Sequence, residues 1–550
     1  PEALAEVEAL KEVESLPPDL LARHALAQGR LLSVAGRHGE AVKRLSEGAR
    51  GFGTRAYDFN LALGDARKAS ADMAGAQEAL EAAVKARPRS EEARAALARV
   101  LLARDRERDA LGRLNDVEGR KAALVRGAIY GRLGDWKRAR AELAKTQIDG
   151  KYPAEAVVYL GLADLAEGNE ERAQEALERA LGSARRFKAE IRVALAQVYW
   201  KRGALEKAKV QFAEAAKEPL DYEGACGLGR MLRAQGEIEA ALDPLSKAAA
   251  RNPSHGEARS ALVRSYLDLN RVNEALAQAQ AWEKDSPESA LAQRDYAFVL
   301  HHAGKEKEAE AASKRAVKLN GDDPEAYRVR AEILFALGDA KDAFAALEAA
   351  NKRDPKDPET FCAIGHAFLR GGKGDNAQKA FEAALRNDEK SACGRIGLQL
   401  AKLPGGAKAA VKELPELAKG AARPWERALA WATLARAELA LGNTNQARKA
   451  AEQAVQLAPL SGEAQLARGL VAVRQRDEAT AKGALEKAAE REPAHAGVHL
   501  ALGDLLSRSE AELDRARQAY EAYLRFGGEP AEQARVKKAL TTLKKRLAAR

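Results

Sequence analysis

The chain has 550 residues, of which 46% are hydrophobic but only 5% aromatic, and its formal net charge is +10. Its 91 basic and 81 acidic residues are closely interspersed, which favours solvated helix faces over one concentrated nucleic-acid-binding patch. Three cysteines without a CxxC pair indicate neither a disulfide framework nor a zinc site.

The composition predicts helices along the whole chain. Ala, Leu, Glu, Arg and Lys dominate, and these side chains lose little freedom on a helical backbone. No stretch alternates apolar and polar residues for long enough to indicate a sheet. No apolar run reaches the ~18 residues of a membrane span. We therefore expect an all-α protein with no transmembrane segment in this chain.

The first residues predict an acidic capping helix within residues 1–19. The chain opens PEALAEVEAL, with neither Met nor the apolar core of a signal peptide. This opening leaves an upstream signal, lipid anchor or catalytic domain as an open question. The cellular compartment cannot be read from this end of the chain.

A fixed spacing of small and large residues follows, beginning weakly with QGRLLSVAGRHGEAVKRL at 28–45. From residue 228 the copies run in a register of 34 residues, so that Gly338 corresponds to Gly372 and Ala343 to Ala377. Gly or Ala at the eighth position predicts a close helix contact, and Pro at the thirty-second predicts a helix end. We count about fourteen repeats over about residues 20–525, the pattern of a repeat solenoid.

The segment 391–424 departs from the pattern and separates a first repeat block, 20–390, from a second, 425–528. Pro415 falls in the middle of an expected second helix and is predicted to break it. Either the segment is a shortened but packed repeat, which a solenoid favours because it covers every apolar face, or it is a joint between two arrays.

The last predicted element is a basic helix at 529–550. Its apolar stripe consists of Val536, Leu540, Leu543 and Leu547. The stripe is narrow and has no Trp or Phe anchor, so a cap on the solenoid is favoured over a membrane-binding or nucleic-acid-binding helix.

The repeat pattern W/F/Y-x2-L-G/A-x2-Y/L…A-x3-F/L-x2-A…P resembles the tetratricopeptide repeat. The copy YLGLADLAEGNEERAQEALERAL carries the pattern at Leu160, Gly161, Ala173, Leu177 and Ala180. The resemblance implies a right-handed superhelical α-solenoid of paired antiparallel helices, in which first helices line a concave groove. It also implies a function in protein–protein interaction.

Inward positions of the first helices give the candidate binding residues that the resemblance implies. The middle of this groove is expected to be basic with scattered aromatics, and arginines from successive repeats would form a ladder for an anionic segment. The candidates are Arg230, Arg233, Arg264, Arg294, Phe298, His301, His302, Arg328, Phe335, His366 and Arg370. An earlier, apolar part holds Val158, Leu162, Val193 and Trp200. Glutamates also occupy inward positions, so a solvated groove with internal Arg–Glu pairs is an equal alternative.

The chain carries none of the common sequence motifs of catalysis. The sequence contains no GxxxxGK[ST], HExxH, GxSxG or dinucleotide-binding fingerprint. His301 and His302 are adjacent, so on a helix they point ~100° apart and cannot grip one metal ion together. We expect no catalytic residue, metal or cofactor.

The favoured function is a non-catalytic scaffold that binds proteins, with acidic or extended segments among the candidates, and no small-molecule substrate. The alternative is the substrate-recruiting part of a larger enzyme, such as a glycosyltransferase or kinase; nucleic-acid binding is the weakest interpretation. Ala- and Arg-rich usage is typical of a bacterial source, which suggests an envelope, pilus, secretion or motility complex. A cytoplasmic and a periplasmic location both remain open.

Overall fold

The computed structural model describes residues 16–184, 187–218, 221–403 and 405–548. These residues form 31 α-helices in succession, with two short 3-10 helices at Gly53–Arg55 and Glu510–Glu512. Their only β-type pairing is an isolated bridge between Ile148 and Lys151. The all-α prediction is confirmed, and none of the described helices is long and apolar enough to cross a membrane. The predicted N-terminal capping helix lies largely outside the described residues.

The helices divide into two compact units. The first unit extends to Leu232 and includes Ala240–Leu262, and the second comprises Arg233–Glu239 and the chain from Val263 onward. The first unit contains α1 Pro18–Val34, α2 His38–Gly51, α3 Ala56–Ala69, α4 Met73–Ala86, α5 Glu91–Ala103, α6 Glu107–Gly112, α7 Arg120–Arg132, α8 Trp136–Ala144, α9 Ala154–Ala166, α10 Glu170–Ser183, α11 Lys188–Lys201 and α12 Leu205–Ala215.

Three helices at the division contribute residues to both units. They are α13 Tyr222–Ala234, α14 Ile238–Arg251 and α15 Gly256–Asp268.

The second unit continues the alternation of first and second helices. It contains α16 Val272–Asp285, α17 Ala290–His302, α18 Glu306–Leu319, α19 Pro324–Ala336, α20 Ala340–Arg353, α21 Pro358–Arg370, α22 Gly374–Asn387, α23 Ala392–Ala401, α24 Ala407–Gly420, α25 Pro424–Ala440, α26 Thr444–Leu457, α27 Gly462–Gln475, α28 Glu478–Arg491, α29 Ala496–Leu506, α30 Leu513–Phe526 and α31 Pro530–Ala548.

Helix ends follow local sequence signals. At the start of α21 the Asp357 side chain accepts hydrogen bonds from the backbone N–H groups of Glu359 and Thr360, and Pro358 begins the helix. In most described repeats the turn between the two helices is made by glycine with positive φ, for example Gly338 at 80°, and in others a residue such as Asn270 takes this conformation. The predicted proline stops are confirmed: α16, α20, α26 and α28 each end two residues before Pro287, Pro355, Pro459 and Pro493.

The small residue at the eighth position is required by close packing inside each repeat. A Cβ added to Gly365 would lie 2.6 Å from the Phe381 ring, and one added to Gly64 would lie 2.5 Å from Leu80. The contacted side chain is sixteen residues further along in both repeats, on the second helix. The predicted close helix contact is therefore confirmed.

The irregular segment 391–424 contains two helices, α23 and α24. The predicted break at Pro415 was wrong, because α24 continues through this residue. Leu414 and Leu417 beside it are buried, in one apolar cluster with Ile396 and Ala430. Proline removes one backbone hydrogen bond, and burial of the flanking leucines offsets that cost.

The basic helix α31 packs its apolar stripe against the end of the array. Val536, Leu540 and Leu543 are buried in a cluster with residues of α28, α29 and α30, such as Leu485 and Tyr520.

Within each unit, repeats that are far apart in sequence touch. In the first unit the Gly256 N–H donates to Asp105 (2.8 Å), across 151 residues. In the second unit the Gly528 N–H donates to the carbonyl of Gly371 (2.9 Å). These contacts bring further residues of the same unit against the first helices that carry the candidate site.

Candidate partner-binding surface

Two predicted arginines of the second unit share three carboxylates, of which one, Asp295, is buried and the others are half-buried. Arg264 lies 2.7 Å from Asp295 and 2.6 Å from Glu325. Arg294 lies 2.9 Å from Glu325 and 3.0 Å from Asp323, the residue that caps α19. Burial opposes the charge of Arg264, but Asp295 and Glu325 outweigh it and raise the pKa of this guanidinium.

Other predicted arginines of this unit are paired in the same way. Arg328 forms an ion pair with Asp357, the cap of α21. Arg233 lies 2.6 Å from Asp268. Arg370 lies 3.1 Å from Glu492, across 122 residues of sequence. Each of these carboxylates belongs to a different helix or helix cap from its arginine, so the pairs tie elements together.

In the first unit the remaining predicted arginine is more accessible. Arg230 pairs with Glu257 of the next repeat, and the two side chains are 49% and 53% exposed. By comparison, the side chains of Arg294 and Arg328 are 10% and 17% exposed. All six predicted arginines therefore hold a carboxylate of this chain, as the alternative of internal pairs requires, and Arg230 remains the most open to solvent.

The predicted aromatic and histidine residues lie close to these arginines. The guanidinium of Arg264 lies 5.4 Å from the centre of the Phe298 ring, and that of Arg370 lies 5.2 Å from the Phe335 ring. His302 contacts the Phe298 ring at 4.5 Å between centres. Phe335 is only 5% exposed, so its ring packs inside the apolar cluster and is not available to a partner.

The three predicted histidines are held in place by burial or by a neighbouring carboxylate. Burial, with a smaller effect of His301, lowers the pKa of His302 to about 3. Burial, followed by Arg370, lowers the pKa of His366 to about 4. Both imidazoles are therefore neutral near pH 7, whereas His301 is held by Glu306 at 2.9 Å.

The predicted apolar groove is mainly core. Val158 and Val193 are each 6% exposed and belong to one buried cluster, against which Leu162 and Trp200 pack half-buried. Trp200 makes an edge contact with the Phe212 ring of α12, 6.3 Å between centres. These residues fill the space between helices because inward-facing apolar positions also meet the neighbouring repeat.

Glutamates recur at the second position of the repeat, counted with the contact glycine as the eighth. The structure places several of them opposite a guanidinium from another repeat, as with Glu155 and Arg99. The recurrence of Glu at this position was visible in the sequence. The choice of its arginine was not, because Arg99 and Glu155 are 56 residues apart.

One group of described residues brings three possible metal ligands together, within 4.8 Å of one another: Glu463, Glu492 and His495. The Val498 N–H donates to Nδ1 of His495, so Nε2 carries the proton and donates it to Glu463 at 3.1 Å. A metal would need that nitrogen without its proton. Arginines already pair with both carboxylates, so the group is a helix cap within an ion-pair network.

Cysteine chemistry receives no support from the surroundings of the thiols. Cys362 and Cys393 are each 2% exposed, and Nε2 of His366 lies 3.6 Å from the sulfur of Cys393. The hydrogen bond with the Cys362 thiol, followed by burial, holds the pKa of Cys393 well above its ordinary range. A thiol with a raised pKa is a weak nucleophile and a weak metal ligand at neutral pH.

The described helices therefore form an α-solenoid, a protein class in which successive helix pairs pack side by side. Family models described as tetratricopeptide repeat match three segments: residues 232–294, 324–367 and 432–481. The chain is a tetratricopeptide repeat protein, and the sequence-based assignment is confirmed. Repeats of this kind generally mediate binding between proteins, and the fold is typical of non-catalytic scaffolds.

Comparisons with solved structures give distant likenesses. A chain from the crystal structure of the APC/C hetero-tetramer Cut9–Hcn1 is 16% identical, with 92% of this chain and 98% of that chain covered, at a TM-score of 0.40. A tetratricopeptide repeat protein from Parabacteroides merdae is 19% identical, with 45% and 98% covered, at 0.39. A thermophilic one from Thermus thermophilus is 25% identical, with 33% and 100% covered, at 0.31. No curated protein matches the sequence.

Proposed function

We propose that this protein is a non-catalytic scaffold that binds peptides or folded proteins on the inner faces of its first helices and helps assemble a multiprotein complex. The observation that carries the proposal is the run of helix pairs along the described chain, whose first helices carry charged side chains at recurring positions. Such a surface offers each partner several weak contacts that add along the array. A bacterial envelope, pilus, secretion or motility complex is the setting we propose.

The first unit is the favoured place for a partner to bind. Arg230 and Glu257 are about half-exposed, whereas the guanidinium groups of Arg294 and Arg328 are mostly enclosed by carboxylates of the chain. An acidic segment of a partner must compete with those carboxylates, and the competition is weakest where water already reaches the pair. Arg230 is therefore the first of the predicted arginines that such a segment would contact.

Affinity capture with quantitative mass spectrometry tests this function. The tagged protein should retain a reproducible set of proteins, and at least two of them, once purified, should bind one copy of the chain at the same time. Arg230→Gln should reduce capture of a partner that binds this face, while the matched exposed variant Arg386→Gln should not. A chain that retains no protein above the level of the tag alone would contradict the proposal.

A further inference from the structure

Glutamates at the second position of the repeat pair with a basic side chain of another repeat in six described repeats, and in one of them, at Glu92, the partner is Lys121. In five repeats this carboxylate receives a guanidinium from a different repeat. The pairs are Glu155 with Arg99, Glu257 with Arg230, Glu325 with Arg264 and Arg294, Glu359 with Arg423, and Glu463 with Arg436. The position is therefore a place where this fold binds a guanidinium.

Two consecutive repeats of the first unit lack that partner. Glu190 and Glu223 occupy the same second position, on α11 and α13, and neither receives an ion pair from any residue that the structure describes. Both side chains are exposed to solvent. They lie between Glu155 and Glu257 in the order of repeats, so two successive pairs are missing from the series.

The surroundings of these carboxylates make a cation favourable. Burial raises the pKa of Glu223; the charge of Arg132 has the next-largest effect and lowers it, and the charges of Glu190 and Glu257 raise it. The carboxylates of Glu190, Glu223 and Glu257 repel one another, and a bound cation relieves that repulsion.

We propose that Glu190 and Glu223 bind arginine side chains of an extended segment of a partner protein, completing the series of Arg–Glu pairs on the inner face of the first unit. Arginine is favoured over lysine because five of the six equivalent pairs among the described residues use a guanidinium, whose planar fork matches a carboxylate, and one, Glu92 with Lys121, uses a lysine. Glu190 and Glu223 lie at the same position of two consecutive repeats, so an extended segment that runs along the array would meet one after the other. This inference rests on the proposed scaffold function and specifies the chemistry of one partner.

Fluorescence anisotropy with a labelled glycine–serine peptide interspersed with arginine tests the proposal. The wild-type protein should bind it, a lysine version more weakly, and a citrulline version not at all. Glu190→Gln and Glu223→Gln should each weaken binding about tenfold, the usual effect of losing one charge-assisted hydrogen bond. The matched control is the pair Glu288→Gln and Glu389→Gln, which are exposed and have no ion pair within the described chain.

Several outcomes would overturn the inference. Equal binding by the wild type and the Glu190→Gln, Glu223→Gln variant would do so, as would equal binding of the arginine and citrulline peptides. Calcium chloride alone is titrated as well, because binding of calcium with no binding of the arginine peptide would identify a metal-ion site instead. Failure of the peptide experiment leaves the capture experiment unaffected, so loss of this inference and loss of the scaffold function can be told apart.

Discussion

At the scale of single residues, one aspartate side chain can both cap a helix and form an ion pair with another repeat. The carboxylates of Asp323 and Asp357 accept hydrogen bonds from backbone N–H groups at the start of a first helix, and each also forms an ion pair with an arginine of the preceding repeat. A cap and an ion pair on one carboxylate couple helix initiation to contact between repeats. The arginines predicted for partner binding thus also contribute to folding.

Asp221 gives a pH-dependent prediction at this scale. Burial, followed by the charge of Glu223, raises its pKa to about 7, although it accepts a hydrogen bond from the Gly224 N–H at 2.9 Å. Because the folded-state pKa lies above the ordinary 3.8, ionisation is resisted in the folded state. Its contribution to stability is therefore greatest at low pH and falls as the pH rises from about 4 to about 7.

The variant Asp221→Asn removes this ionisation and keeps a good helix cap. Its thermal midpoint should fall less than that of the wild type between about pH 5 and about pH 8. Differential scanning calorimetry at the two pH values measures the difference. Identical pH dependence of the two proteins would show that Asp221 does not resist ionisation.

Two glycine substitutions of the same kind should have opposite effects. Gly365→Ala places a Cβ 2.6 Å from the Phe381 ring and should destabilise its repeat by about 1–3 kcal/mol. Gly483, inside α28, has no neighbour within 4 Å of a Cβ, so Gly483→Ala should stabilise by about 0.5–1 kcal/mol. Local free energies of opening from native-state hydrogen exchange give both values. Destabilisation by both changes would contradict the packing explanation.

At the scale of elements, the repeat period in the sequence determines where most of the helices form and where they end. A glycine, two alanines and a proline at fixed positions were enough to predict the paired helices and their ends. The course of α24 could not be predicted in this way, because Pro415 is a helix breaker on local grounds alone. Burial of Leu414 and Leu417 in the surrounding cluster decides the outcome, and that burial is a tertiary property.

Hydrogen exchange across α23 and α24 tests whether this segment is a joint. Both helices belong to the same buried cluster as α25 and α26, so their amide protection should match that of these neighbours. Lower protection is expected only near Val411, whose carbonyl lacks its usual partner because Pro415 has no N–H. A dip over the whole of 392–420 would identify a joint.

The contact between α21 and the end of α30 gives a second prediction for elements. Phe526 packs with Phe335 and Ala494, and the following Gly528 N–H bonds to Gly371. Phe526→Ala should therefore lower amide protection in α19 and α21 as well as in α30, although Gly371 and Gly527, whose backbones meet here, are 156 residues apart. The exposed variant Leu319→Ala serves as a control, and loss confined to α30 would argue against the contact.

At the scale of the whole molecule, the internal ion pairs limit which charges of the first helices can be reversed without loss of stability. Arg294→Glu with Arg328→Glu would place new carboxylates against Asp295, Asp323, Glu325 and Asp357. Reversals of exposed charges seldom cost much stability, but these two arginines are mostly enclosed and each holds carboxylates of the chain. The variant should lose helicity at a lower temperature than the wild type, whereas Arg386→Glu should not, as measured by circular dichroism. Equal melting curves would contradict the pairing.

The candidate surface was less predictable than the fold. Inward positions were identified from the family resemblance, but the partner of each arginine depends on which repeats meet in space. Arg370 and Glu492 are 122 residues apart, and no periodicity connects them. Glu190 and Glu223, which have no ion pair with a described residue, differ from the other glutamates at this position only in their spatial neighbours, which the sequence does not give.

The central claim is that partner proteins bind along the inner faces of the first helices, and chemical cross-linking with mass spectrometry of the purified complex tests it most directly. Reagents that join carboxylates to amines report on the glutamates of this chain. The account predicts cross-links from partner lysines to Glu190, Glu223 and Glu257 on the first unit, reduced when excess arginine peptide is added. Cross-links confined to exposed carboxylates of second helices, such as Glu171 and Glu348, would contradict it.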